Sequence, residues 1–327
     1  PLFFFQADEG IRDWSPARGL GDVYKRQHPY LTRDGHQRAF VEFSGFKTLW
    51  FNTGTLCNIA CSNCYIESSP RNDRLIYLSL KEVIEYLNEL ENLSGKSCEI
   101  GFTGGEPFLN PDFLKMLEEC LRRDFSILIL TNAMKPLQNK TAELLKLKSV
   151  FGTRKLVFRV SIDHYEKEWH ELERGAGTWT PMINGLQRLI NKEYTINIAG
   201  RSLSGESDEE CRQGYKKLFE KLGLRLDPFN KSELVIFPEM DAKVDVPEIT
   251  TNCWKILSVR PELQMCATSR MVVKRKGQKK PIVVSCTLLP YEKEFELGGS
   301  LWESGKKIYL NHHHCSKFCV LGGASCS

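Results

Sequence analysis

The stretch CNIACSNCY, residues 57–65, sets three thiols within eight positions, spaced Cys57-x3-Cys61-x2-Cys64, with no fourth cysteine nearby. Its setting follows from what flanks it. TLWFN (48–52) reads as a buried strand running into the stretch. Ser79 and Glu82 form a capping box ahead of the helical stripe Leu80, Val83, Ile84, Leu87 and Leu90, and Gly95 ends that helix. CEIGFTG (98–104) is a second strand and runs into GGEP, residues 104–107. PDFLKMLEECLRR (111–123) has proline near a helix start, and FSILILT (125–131) is a continuous apolar strand, as a sheet buried on both faces requires. The alternation continues with helix 138–148, strand 155–163, helix 179–192, strand 194–200, helix 207–222 and strand 232–238.

Strands separated by helices favour a parallel sheet with helical crossovers. The series stops at six units, so the sequence predicts an α/β fold: a partial, open, TIM-like (β/α)6 barrel. The cysteine stretch, GGEP, Thr131 with Asn132, and Ser161 with Asp163 then all fall at C-terminal strand ends, where such sheets keep their active sites.

Residues 1–27 carry no helical or strand period and no cap signal; they resemble a translated sequencing adapter, with a disordered arm as the alternative, and stand outside the fold reasoning. Residues 28–247 form the expected barrel. After about 247 the texture changes to short strands, a hairpin at 271–286, and cysteine, glycine and histidine, so 248–327 reads as a small hairpin-plus-helix extension.

The net charge of +4 over 327 residues is small, and the one dense basic run, KRKGQKK (274–280), reads as an exposed turn rather than a nucleic-acid stripe. No run approaches the roughly 18 apolar residues that cross a membrane. The 12 cysteines group at 57–64 and 253–326, with Cys98, Cys120 and Cys211 between. A secreted disulfide scaffold is short and dense throughout, so the grouping points to metal sites in a reducing cytoplasm. Cys98 and Cys120 read as small buried hydrophobes and Cys211 as an ordinary helix residue.

Thiolates suit zinc, copper(I) or iron–sulfur centres. Structural zinc wants four closed ligands, and a lone Cys-x3-Cys-x2-Cys loop supplies three. It fits three corners of a 4Fe-4S cluster, ordinarily held by four thiolates, and leaves one iron open to a small molecule.

CNIACSNCY, GFTGGEP, TNA and RVSID, in this order and at these strand ends, together resemble the radical S-adenosylmethionine (SAM) enzymes over roughly residues 48–240. The resemblance implies that Cys57, Cys61 and Cys64 hold a 4Fe-4S cluster whose open iron chelates S-adenosyl-L-methionine. Reductive cleavage then yields a 5′-deoxyadenosyl radical that abstracts hydrogen from substrate. It implies that Gly104, Gly105, Glu106 and Pro107 meet the methionyl amino group, that Ser161 and Asp163 contact the ribose, and that Asn132 shapes the pocket floor. Arg174 matches the arginine that pairs the methionyl carboxylate, with Arg201 the competing choice. One departure is visible: many members place an aromatic residue before the third cysteine, where this chain has Asn63, and the adenine contact falls to backbone or to Tyr65.

The second cysteine group resembles the twitch or SPASM extensions of the same superfamily. The implied ligands of an auxiliary 4Fe-4S cluster are Cys266, Cys286, Cys315 and Cys319, with Cys326 as alternate, Cys253 a weaker choice and a four-thiolate zinc site the competing reading. His164, Glu239 and Asp241 near strand ends are the substrate-site candidates, and the run His312-His313-His314 reads as solvated. The partners implied are a small-molecule or peptide substrate and a reductant such as flavodoxin or ferredoxin. The alternative reading is a non-catalytic iron–sulfur or zinc-binding electron-transfer protein.

Overall fold

The computed structural model describes residues 25–203, 205–238 and 244–323. A short pair, β1 (Phe40–Val41) with β11 (Ile308–Tyr309), stands apart from the main sheet. That sheet has nine strands in the order β10-β9-β8-β2-β3-β4-β5-β6-β7. The ranges are β2 Thr48–Asn52, β3 Glu99–Thr103, β4 Ser126–Thr131, β5 Leu156–Asp163, β6 Thr195–Arg201, β7 Leu234–Phe237, β8 Ser269–Val273, β9 Ile282–Val284 and β10 Glu296–Gly298. From β2 to β7 every neighbour is parallel, which is the six-strand series expected from the apolar runs.

The crossovers are α1 (Leu80–Ser94), α2 (Phe113–Arg122), α3 (Lys135–Gln138) with α4 (Thr141–Phe151), α5 (Lys167–Arg174) with α6 (Trp179–Asn191), and α7 (Asp208–Leu222). Ser79 and Glu82 form the capping box at the start of α1, and Ser207 with Glu210 form a second at the start of α7. Each helix lays its apolar stripe on one face of the sheet. Phe51, Phe102, Phe113, Phe158 and Leu87 are fully or almost fully buried there, at about 1.5–3 kcal/mol per side chain.

The extension does not stand off from the barrel. β8 lies beside β2, parallel to it, with Leu49 opposite Arg270, and β9 and β10 follow as antiparallel strands. The strand that leads into the cysteine loop is thereby flanked on both sides, and the second core (Trp50, Leu128, Met271, Phe295, Phe318) fills the other face of the sheet. The basic run is the turn between β8 and β9, with Lys276 paired to Asp73 and Arg275 to Glu296. Residues 25–26 touch the body: Lys25 pairs with Asp245, and the Arg26 carbonyl accepts from Asn311.

Candidate active site

The chain leaves β2 at Asn52 and turns into the cysteine loop, against which the Gly104-Gly105-Glu106 segment after β3 is clamped. Gly105 N–H donates to Gly54 O at 2.8 Å and Glu106 N–H to Leu56 O at 3.2 Å. A Cβ on Gly105 would meet Leu56 O at 2.2 Å; one on Gly104, which has φ +140°, would meet Gly54 O at 2.6 Å. The two glycines thus allow a close approach to the cysteine loop's own backbone. The other side of the loop is tied to the end of α5: Ser62 N–H donates to Glu173 O and Asn63 Nδ2 to Glu173 Oε1, both at 2.8 Å.

A cavity of about 160 Å³ opens at these strand ends. Cys57, Cys61 and Cys64 line it together with Gly104, Gly105, Asn132, Ser161, Asp163 and Arg174; Tyr65, Arg201, Phe237, Thr287 and Leu288 are also part of its wall. Glu106 and Pro107 lie behind that wall, both buried. The Glu106 carboxylate accepts from Thr131 Oγ1 at 2.9 Å and Asn132 N–H at 2.9 Å, and burial pushes its pKa up to about 7.

Across the cavity, Asp163 has φ +61° and is almost wholly buried. Arg174 grips it with Nε at 2.8 Å and Nη2 at 3.1 Å. Arg201 approaches at 3.6 Å and lies 4.4 Å over the Tyr65 ring. Burial works against ionisation of Asp163, but the two guanidiniums hold its carboxyl below the usual range. Arg174 and Arg201 face the Asp163 carboxylate, and Glu173 is a second carboxylate near Arg201.

The donor set fits a thiolate-held cluster. Burial, then the Glu106 charge, pushes Cys57 up to about 12, and burial raises Cys61 although Arg174 opposes it. Thiols so placed become thiolates when a metal takes the proton's place. Ser68 N–H donates to Cys64 Sγ at 3.2 Å, and Asn132 Nδ2 sits 3.8 Å from Cys57 Sγ; such contacts tune cluster sulfurs. Among the described residues no three His, Cys, Asp or Glu side chains are arranged around a point for a metal ion. Cys57, Cys61 and Cys64 border one cavity.

A second cavity, of about 30 Å³, is lined by Cys266, Cys286, Cys315 and Cys319 among Met265, Leu289, Phe295 and Phe318. Cys315 and Cys319 share one π-helical segment, Cys315–Leu321, a form that gathers at functional sites. Burial, with Cys286 beside one and Cys266 beside the other, pushes Cys266 and Cys315 each up to about 12. Cys253 is apart, its sulfur accepting from Thr250, and Cys326 lies outside the described residues. The two cavities share Leu288, and the Tyr65 ring of the first stands 5.9 Å from the Phe318 ring of the second.

His164 does not reach either cavity. It is buried, 3.3 Å from Glu206 and stacked on Tyr165, and burial lowers its pKa. Glu239 and Asp241 lie outside the described residues. The histidine run is not solvated as a whole: His313 is 4% exposed and its Nε2 contacts Val244 O at 2.9 Å, because the π-helix packs this stretch inward. Cys98 and Cys120 are buried, as expected; Cys211 lies in helix α7, as expected, and is buried as well. Sequence reasoning missed Thr287, Leu288 and Glu173; the first two follow Cys286 directly, and that adjacency was their only signal.

A model of the radical SAM superfamily matches residues 51–217. The chain is 24% identical over 272 residues to the antilisterial bacteriocin subtilosin biosynthesis protein AlbA of Bacillus subtilis, covering 77% of this chain and 57% of AlbA. It is 26% identical over 139 residues to the mycofactocin maturase MftC of Mycolicibacterium smegmatis, covering 42% and 33%. Against these two relatives the chain thus spans 57% and 33% of their lengths. Among solved structures, the fold is similar to anSMEcpe with bound AdoMet (TM-score 0.58, 15% identity, covering 83% and 79%) and to Streptococcus suis SuiB bound to the precursor peptide SuiA (TM-score 0.57, 12%, covering 79% and 63%). The match spans the cysteine loop, the GGEP turn and the Asp163 wall that the geometry gathers into one cavity, and the chain belongs to the radical SAM superfamily.

Proposed function

We propose that the chain is a radical SAM enzyme that modifies a peptide. A 4Fe-4S cluster on Cys57, Cys61 and Cys64, with S-adenosyl-L-methionine beside it, supplies a 5′-deoxyadenosyl radical when both are bound. The single observation that carries the reading is that three thiols, the Asn132 and Gly104-Gly105 turn, and the Asp163–Arg174–Arg201 wall line one cavity.

Within that reading the chain's own residues divide the work. Arg174 is committed to Asp163 by its two-pronged grip, so Arg201 is the guanidinium we assign to the methionyl carboxylate. Gly104 and Gly105 offer backbone to the methionyl amino end, with the Glu106 charge behind them. Asp163 and Ser161 face the ribose, and Tyr65, held under Arg201, supplies the aromatic surface for adenine that Asn63 does not. Burial of these groups keeps water from the reactive carbon.

The peptide assignment leans on relatives named for a bacteriocin pathway and for mycofactocin maturation, and on the SuiB complex with its precursor peptide. We further assign an auxiliary 4Fe-4S cluster to Cys266, Cys286, Cys315 and Cys319, a division of the chain near residue 247, a reductant of the flavodoxin or ferredoxin kind, and a cytoplasmic location. Among the described residues no helix is long and apolar enough to cross a membrane.

The test is anaerobic reconstitution with iron and sulfide, followed by reduction in the presence of S-adenosyl-L-methionine. The expected result is release of 5′-deoxyadenosine, abolished in Cys61→Ala and increased by a precursor peptide encoded beside the gene. Iron incorporation without any cleavage of the nucleotide would return the chain to the electron-transfer reading.

A further inference from the structure

β8 carries one charged residue, Arg270, inside the run SRMVV, and all five of its residues are buried. Arg270 is completely buried. Its guanidinium donates to four main-chain carbonyls: Nε to Ser304 at 2.9 Å, Nη1 to Cys266 at 2.6 Å and Ser269 at 2.8 Å, and Nη2 to Lys306 at 3.0 Å. The Phe43 ring covers it at 4.1 Å. No described carboxylate forms an ion pair with it.

Carbonyl dipoles satisfy the donors and leave the charge uncancelled. A buried cation costs several kcal/mol unless an anion repays it. Burial alone pulls the Arg270 pKa down to about 10, and the groups that oppose this are Cys266 and Cys286, both ligand candidates of the second cavity. Two other charges act on Cys315, Arg26 and, more weakly, Glu294, and they are opposite in sign.

Resting on the reading of this cavity as a cluster site, we infer that Arg270 is the counter-cation of the anionic centre held by Cys266, Cys286, Cys315 and Cys319, and that its charge raises the reduction potential of that centre. Its hydrogen bond to the Cys266 carbonyl also sets the position of the first ligand. One-electron reduction adds a negative charge to the centre without breaking a bond. A fixed cation hydrogen-bonded to the main chain of the Cys266 ligand favours the reduced form, so the centre is poised to accept an electron rather than to donate one.

The test uses the full chain with Cys57, Cys61 and Cys64 replaced by alanine, so that the second centre is observed alone. Its midpoint potential is read by electron paramagnetic resonance during a dye-mediated titration. Arg270→Gln and Arg270→Met should each lower the reduction equilibrium at least tenfold, which for one electron is about 59 mV, while Arg270→Lys stays within threefold. Equal potentials in all four proteins overturn the role of Arg270 and leave the cluster reading intact. Absence of iron and sulfide from the unmutated second cavity, or zinc in their place, overturns both. Should neither neutral variant fold, Arg270→Lys still decides, since a tenfold fall with the charge retained refutes an electrostatic role.

Discussion

Asn63 donates from Nδ2 to Glu173 Oε1 at 2.8 Å, and this bond fastens the cysteine loop to the last turn of α5. The next residue along that helix, Arg174, grips Asp163 on the opposite wall of the cavity. Asn63 is thus a latch between the two halves of the site. Asn63→Ala should loosen the loop by about 1 kcal/mol, seen as a roughly fivefold weaker retention of iron under a chelator challenge. Glu173→Ala, which removes the acceptor, should do nearly the same, and the double variant should be no worse than either single one. Additive losses in the double variant mean that the two side chains act independently and that the latch is not real.

Gly105 predicts a steric cost. Alanine there puts its Cβ 2.2 Å from the Leu56 carbonyl oxygen, which belongs to the main chain and cannot swing aside. Overpacking of this kind costs about 1–3 kcal/mol or more, so Gly105→Ala should lower the denaturation midpoint of the apo-protein. Gly299→Ala, where nothing lies within 4 Å of the added atom, should leave it within about 0.5 kcal/mol of the parent. Equal midpoints for the two variants contradict the clamp between the GGEP turn and the cysteine loop.

Much of this was legible in the residues, and what was not has definable causes. The six strands from Thr48–Asn52 to Leu234–Phe237 announce themselves because a parallel sheet buried on both faces demands unbroken apolar runs. The β8 strand was legible as a strand but not as the neighbour of β2, since periodicity reports burial and says nothing of partners. Glu106 was legible as part of the turn after the second strand. Its direction was not, because that depends on Thr131 and Asn132, which the fold brings from the end of β4. The pairing of Arg174 with Asp163 accompanies a left-handed backbone at Asp163. A sequence does not display that dihedral for an aspartate. His313 read as solvated because its neighbours are polar, and it is buried because the π-helical Cys315–Leu321 segment carries it inward.

Glu106 ties stability to pH. Its pKa in the folded chain, about 7, lies above the ordinary 4.5, so the folded state binds its proton more tightly than the unfolded state does. The stabilisation is complete below pH 4.5, falls between 4.5 and 7, and is gone above. The gap amounts to about 3 kcal/mol. Other groups titrate over the same range, so the quantity to measure is the difference between the parent apo-protein and Glu106→Gln, by chemical denaturation at pH 5 and pH 8. The parent should lose about 2.5 kcal/mol relative to the variant on going from the lower to the higher pH. A difference that stays flat, or runs the other way, shows that the carboxylate is stabilised in its ionised form by the Thr131 and Asn132 donors.

The two arginines of the Asp163 wall should separate into a structural and a ligand-binding role. Arg174→Met removes both prongs from a buried carboxylate and leaves it only the 3.6 Å contact with Arg201. Breaking a buried pair from one side costs about 3–5 kcal/mol, so the loss should appear in the denaturation of the apo-protein before any ligand is added. Arg201→Met leaves the Arg174 fork in place and should change apo stability far less. What it removes is a positive charge on the cavity wall, and hydrogen bonds to a charged group are worth about 1.5–3 kcal/mol. The reconstituted Arg201→Met protein should therefore bind S-adenosyl-L-methionine roughly 10- to 100-fold more weakly by calorimetry, while Arg201→Lys recovers part of the loss. If Arg201→Met binds the nucleotide as the parent does and Arg174→Met is stable but binds poorly, the two roles are reversed, and the Arg174–Asp163 fork must open for the methionyl carboxylate.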